Sequence, residues 1–252
     1  MKQKPLVSIL VPVHNAAPHL AECLRSIKKQ TFRNIEIIAI DDSSTDKSFS
    51  ILRKLKTKEK RLRIYRNVKR YGIAVTMNRL LEKAKGSYIA FASTNDVFTK
   101  DKLKKQLEFL NKNTQVVAVG TQCLFINEKG TKIGRSSYPL QNDEINHNPL
   151  HGISMQFETV MVNKSLLPRD VLRFDINSHP FLYSDIFIKI KPYGKFANLK
   201  NAFYIHRRNP QEYLLDLKKN ILSLIKLFVR SKALYNFDSS MKGFFSPVLK
   251  SV

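Results

Sequence analysis

Apolar and polar positions in the first 126 residues alternate between two rhythms. Residues 7–13 are an apolar run broken by one serine, the pattern of a strand covered on both faces. Pro18 sits where a first helical turn tolerates it, and Leu20, Leu24 and Ile27 then share one helical face. Residues 35–40 predict a second buried strand. It ends in Asp41-Asp42-Ser43-Ser44-Thr45-Asp46, a turn rich in helix-capping residues, and a basic helix with Phe49, Leu52 and Leu55 inward follows. Residues 63–66 read as a short strand, a loop at Gly72 leads to a helix over 75–84, and residues 87–92 are another strand. After the polar turn Ser93-Thr94-Asn95-Asp96 comes a helix with Leu103, Leu107 and Leu110 inward, then strand candidates at 116–119 and 123–126.

This alternation predicts an α/β fold, Rossmann-like, with a mostly parallel central sheet and helices on both faces. Ligands of such sheets bind beyond the carboxyl ends of the strands. The turns after Val13, Ile40 and Ala92 are all carboxyl ends, so they should converge on one edge. Later residues are less regular. Glu128-Lys129-Gly130 reads as a hairpin turn, 136–152 as loop, 157–162 as a strand, and 186–190 as a strand or a short helix. Over 212–235, Leu214, Leu217, Ile221, Leu224 and Phe228 recur at helical spacing, with Lys218, Lys219, Lys226, Arg230 and Lys232 around them.

Charge narrows the partners. Lys and Arg total 44 against 20 Asp and Glu, a net +24 that favours nucleic acid, anionic lipid or phosphorylated small molecules. The lysines of 47–61, 100–112 and 218–232 have little aromatic interleaving and no recognition motif, which argues against nucleic acid. The 212–235 segment either lies on an anionic membrane surface or packs with its lysine face solvated. Cys23 and Cys123 lack metal-ligand spacing and read as buried thiols in a reducing cytoplasm. No run approaches the roughly 18 apolar residues of a membrane span, and the short polar start predicts no signal peptide. The expected location is cytoplasmic, with peripheral attachment to the inner membrane face as the variant.

Val7-Ser8-Ile9-Leu10-Val11-Pro12-Val13-His14-Asn15 resembles the opening strand and Pro-x-(aromatic or His)-Asn turn of family 2 glycosyltransferases, which have the GT-A fold. Gln30-Thr31-Phe32, the run Ile35-Glu36-Ile37-Ile38 and the turn from Asp41 to Asp46 are similar to that family's second strand and acidic turn. Asn67, Gly72-Ile73-Ala74, Asn78 and Gly86-Ser87-Tyr88-Ile89-Ala90-Phe91 continue the match, collinear over residues 5–110. The resemblance implies a nucleotide-sugar donor, with UDP the default base, and an inverting transfer to a hydroxyl of a glycan or lipid-linked acceptor. It implies a nucleotide-sugar-binding half over 5–126, an acceptor-binding half over 127–210 and a basic helical tail over 211–252. Pro12, His14, Asn15, Asp41, Asp42, Asn78, Ser93 and Thr94 then become donor contacts, Asp42 foremost for the base; capping of the next helix is the competing role for the Asp42–Asp46 turn.

Two departures fall on chemical positions. Where the family places Asp-x-Asp, whose last Asp holds Mg or Mn, this chain has Ser93-Thr94-Asn95 and then Asp96. Asn95 and Asp96, with His206 of Tyr204-Ile205-His206-Arg207-Arg208, become the candidate metal ligands. Hard cations prefer carboxylates, so this set is weaker than usual, and Lys or Arg could stabilise the leaving group instead. The family's Glu-Asp-x-Asp-Leu segment, about ten residues before Gly-Lys, corresponds to Tyr183-Ser184-Asp185-Ile186 before Gly194-Lys195. Aligned without a gap, Tyr183 takes the position of the base; with a two-residue deletion Asp185 does, and as the one carboxylate between Asp175 and Glu212 it is the preferred catalytic residue. A relative that binds donor but transfers nothing is the alternative these departures leave open.

Overall fold

The computed structural model describes residues 6–209 and 211–249. Residues 5, 210 and 250–252, where the expected boundaries fall, lie outside the described residues. Strands β1 (Val7–Val13), β2 (Ile35–Asp41), β3 (Leu62–Arg66) and β4 (Tyr88–Phe91) alternate with helices α1 (Leu20–Lys28), α2 (Ser48–Lys56) and α3 (Ile73–Lys83). Next come β5 (Val97–Phe98), α4 (Lys102–Lys112), β6 (Val116–Ile126), β7 (Lys132–Arg135), α5 (Asn142–His147), β8 (Met161–Asn163), α6 (Leu182–Ile190) and β9 (Lys195–Arg207). Helices α7 (Gln211–Lys219), α8 (Ile221–Tyr235) and α9 (Met241–Leu249) complete the described chain.

The strands form one sheet in the order β3-β2-β1-β4-β8-β6-β9-β5, with β7 beside β6. The β3-β2-β1-β4 portion is parallel throughout. Antiparallel pairing enters at β8, which lies between β4 and β6, and β6 runs parallel to β9. The apolar runs are continuous because both faces are covered. Ile9, Ile37 and Ala39 face a core that includes Leu20, Leu52 and Leu103, while Leu10, Ile38 and Ile40 face Met77, Leu80 and Phe187. A third cluster, with Leu217, Leu224, Phe228 and Phe244, holds the C-terminal helices together.

The structure departs from the sequence pattern in four places and decides a fifth, 186–190, that the pattern left open. The candidates at 116–119 and 123–126 are one strand, β6, bent by irregular register beside β9. Residues 157–159 form a 3-10 turn, so the strand there is only β8. Residues 186–190 are helical within α6. The expected loop over 136–152 contains α5, and the tail helix breaks at Asn220 between α7 and α8. No helix among the described residues is long and apolar enough to cross a membrane.

One buried cation lies in this frame. Lys102 is fully buried, its Nζ donates to Gln106 Oε1 at 2.9 Å, and it sits 4.5 Å from the centroid of the Phe98 ring. Burial pushes its ammonium down to about 7 from 10.5. Between those values the unfolded chain binds the extra proton, so this group makes stability rise with pH from about 7 to 10.5. Lys102→Met should flatten the pH dependence of denaturant stability in that window by up to ~1.4 kcal/mol per pH unit, the slope of one proton. Equal slopes in the two proteins would show that Lys102 is not the titrating group.

Candidate active site

The carboxyl ends of β1, β2 and β4 lie side by side, and a cleft of about 420 Å³ opens over them. Pro12, His14, Asp42, Ser93 and Thr94 line it, so three turns distant in sequence share one cavity. The turns are fastened to each other. The Asp42 N–H donates to the Val13 carbonyl at 2.7 Å, and His14 Nδ1 lies 2.9 Å from the Asp42 carbonyl. A carbonyl only accepts, so the His14 proton sits on Nδ1. Asn15 has a left-handed backbone, φ 45°, which asparagine tolerates. Its side chain accepts the Thr45 N–H at 2.9 Å, so it clamps the acidic turn and does not line the cleft.

Asp42 is buried and accepts from three directions. Oδ1 takes the Asn67 amide at 2.7 Å and the Tyr71 N–H at 2.9 Å, and Oδ2 takes the Gly72 N–H at 2.8 Å. Gly72 has φ 85°, a conformation that favours glycine, and stands immediately before α3. Asp42 therefore holds the 67–72 loop and the entry to α3. Asp46, two residues ahead of α2, accepts the Ser48 N–H at 2.9 Å, and Asp42 takes no part in that helix start. Burial acts to raise the Asp42 carboxyl, but the bonds from Asn67, Tyr71 and Gly72 outweigh it and hold the group below its ordinary range. Asp41 lies outside the cleft: it is fully buried, one oxygen pairs with Arg66 Nε at 3.1 Å, and Oδ1 has no hydrogen-bond partner.

The expected metal ligands are engaged elsewhere. Asp96 Oδ1 accepts the Arg207 N–H at 2.9 Å; Oδ2 accepts the Tyr204 hydroxyl at 3.0 Å and meets His206 Nδ1 at 2.6 Å. Burial acts to lower the His206 imidazolium, but the adjacent Asp96 carboxylate more than compensates and raises it. Asn95 is exposed, and the described residues contain no cluster of three or more His, Cys, Asp or Glu side chains able to hold an ion. With both Asp96 oxygens taken by donors, this set does not fit a divalent cation.

Asp185 is not brought to the cleft. Residues 182–190 form a helix, where positions two apart point about 200° apart. Tyr183 faces the cleft and stacks on Phe157 at 4.2 Å between centroids; Asp185 is fully buried beside Lys189 Nζ at 2.7 Å. Asn78 is bonded to both the N–H and the carbonyl of Phe174 and lines a separate groove. The structure adds Arg70, Glu158 and His179 to the cleft. A signal for Glu158 was present, since it is a lone charge in an apolar run, Phe157 to Val162.

A parallel βαβ edge with a cleft where the pairing switches from parallel to antiparallel is an arrangement compatible with the GT-A fold. Residues 8–167 match the family model described as glycosyl transferase family 2, and the chain belongs to that family of transferase enzymes. It is 35% identical over 175 residues to an uncharacterized glycosyltransferase of Haemophilus influenzae, covering 69% of this chain and 68% of that one. It is 32% identical over 115 residues to the glycosyltransferase GlyG of Streptococcus pneumoniae, covering 46% of this chain but 38% of the relative. In fold it is similar to S. aureus TarS 1-349 in complex with UDP, with TM-score 0.70, 19% identity, and coverage of 97% of this chain and 70% of that one. It is also similar to the mannosyltransferase PcManGT of Pyrobaculum calidifontis in complex with GDP-Man and Mn2+, with TM-score 0.66, 18% identity, and coverage of 99% and 69%.

Asp42→Asn should destabilise the protein by ~1–3 kcal/mol, because an amide group would face donors that now meet oxygen. The Asp42 contribution is full above its ordinary value of 3.8 and is lost as pH falls through the lower folded value. Acid titration of the two proteins followed by circular dichroism checks this: their stabilities should converge at low pH.

Proposed function

We propose that the chain moves a sugar from a nucleoside-diphosphate donor to a hydroxyl of a glycan or lipid-linked acceptor, with inversion at the anomeric carbon. The observation that carries this reading is the shared cleft of Pro12, His14, Asp42, Ser93 and Thr94 at the carboxyl edge of a family 2 fold. The nucleoside lies against Pro12, His14 and the Asp42-held loop. Ser93 and Thr94 offer hydroxyls to the diphosphate, and Arg70 on the cleft wall offers positive charge to the leaving group. UDP is the favoured base, in keeping with the fold neighbours solved with UDP and UDP-GlcNAc. No step is routed through a metal, because the Asp96 oxygens are filled. Thermal shifts with UDP-, GDP- and dTDP-sugars test the reading: the matching sugar nucleotide at 100 times its Kd should stabilise by ~2.7 kcal/mol. EDTA should leave that shift in place. No shift with any of the three would end the donor assignment.

The same reading places the protein at the cytoplasmic face of a membrane, with α8 as the contact. Leu217, Leu224 and Phe228 are turned into the core, but Leu222, Ile225 and Val229 are 72%, 43% and 60% exposed on one helical stripe. Exposed Lys219, Lys226 and Lys232 lie on or next to the same helix, which suits an anionic bilayer surface. Flotation should be strong with anionic vesicles, weak with neutral ones, and lost in Leu222→Glu/Val229→Glu while the donor thermal shift persists. Flotation unchanged in that variant would remove α8 as the contact.

A further inference from the structure

We propose that Glu158 is the general base that takes the proton of the acceptor hydroxyl, a role that rests on the nucleotide-sugar-transfer reading above. Two carboxylates line the cleft among the described residues, Asp42 and Glu158. The Asp42 carboxylate already accepts three bonds, from Asn67, Tyr71 and Gly72. Glu158 differs. Its Oε2 accepts the Gln156 amide at 2.5 Å, and the carboxylate also meets its own backbone N–H.

Sheet register puts this carboxylate near the reacting groups. Strand β8 runs antiparallel to β4 with Met161 opposite Ala90. The 3-10 turn ahead of β8 carries Glu158, and the turn after β4 carries Ser93 and Thr94. Ser93, Thr94, Phe157, Glu158 and Tyr183 line that end of the cavity. The helix over 182–190 turns Tyr183 toward the cleft and buries Asp185 beside Lys189, while Glu158 brings a carboxylate into the cleft from a different element.

The side chain is also held for the task. Gln156 is fully buried and bonds the Tyr213 hydroxyl at 2.7 Å and the Tyr138 hydroxyl at 3.2 Å, so the amide that orients Glu158 is itself fixed. Burial raises the Glu158 carboxyl, and neighbouring Asp96 adds to this, while His206 opposes it. Cys123, Tyr138, Tyr183, Tyr204 and Tyr213 are its other titratable neighbours. A raised carboxyl accepts a proton more readily near neutral pH.

In the step, the acceptor oxygen bonds to the anomeric carbon as the bond from that carbon to the phosphate oxygen breaks. The bonding pair leaves with the nucleoside diphosphate. The hydroxyl proton passes to the Glu158 carboxylate and from there to solvent.

The test separates turnover from binding. Glu158→Gln should lower kcat by roughly 10²–10⁴-fold, while the donor thermal shift and donor KM stay within about threefold of wild type. Glu158→Asp should recover part of the rate, and the acidic limb of the kcat/KM profile should disappear in Glu158→Gln. A Glu158→Gln enzyme that binds donor and turns over at the wild-type rate would overturn the assignment. So would a Tyr183→Phe variant that alone loses the rate. Wild-type protein that binds no sugar nucleotide would instead count against the donor reading, not against Glu158 in particular.

Discussion

The Asp96 carboxylate is the point at which the two parts of this molecule are tied together. It follows β4 in the parallel portion of the sheet, and its partners Tyr204, His206 and Arg207 all belong to β9. A buried carboxylate is costly unless hydrogen-bonded, and here a phenol, an imidazole and a backbone N–H together satisfy it. Arg207 extends the tie, donating to the Asn95, Asn127 and Glu128 carbonyls and pairing with Glu22 at 3.1 Å. The cleft floor at Ser93 and Thr94 is thereby fixed relative to β9. The interaction that secures the floor also occupies the oxygens that a cation would need.

Asp42 does corresponding work at the other end of the cleft. By accepting from Asn67, Tyr71 and Gly72, it turns a connection between β3 and α3 into a wall. Two acidic groups that look from their chemistry like ligand contacts are thus first of all structural anchors. Ligand chemistry then falls to the groups they leave free. These are the hydroxyls of Ser93 and Thr94, the Arg70 guanidinium, the His14 and His179 rings, and the Glu158 carboxylate, all of which line the cleft. A surplus of basic residues suits an anionic ligand, since fixed positive charge in a partly enclosed cleft stabilises negative charge there.

The first half of the fold was legible because burial on both sides of a parallel sheet writes itself into a chain as uninterrupted apolar runs, such as Val7 to Val13. Those runs, with the polar turns that end them, put His14, Asp42, Ser93 and Thr94 at or just beyond carboxyl ends, which a parallel sheet gathers on one edge. Local sequence could not say whether residues 182–190 are strand or helix, since a short apolar segment suits both periods. That choice decides the site: a strand would put Tyr183 and Asp185 on one side, and the helix separates them. Nor could it reveal that Asp96 and His206, 110 positions apart, would bond each other, or that a turn at 157–159 would carry Glu158 to the cleft. Periodicity records which face of an element is buried; only the packed chain determines which polar groups spend their hydrogen bonds on one another and which remain for a ligand.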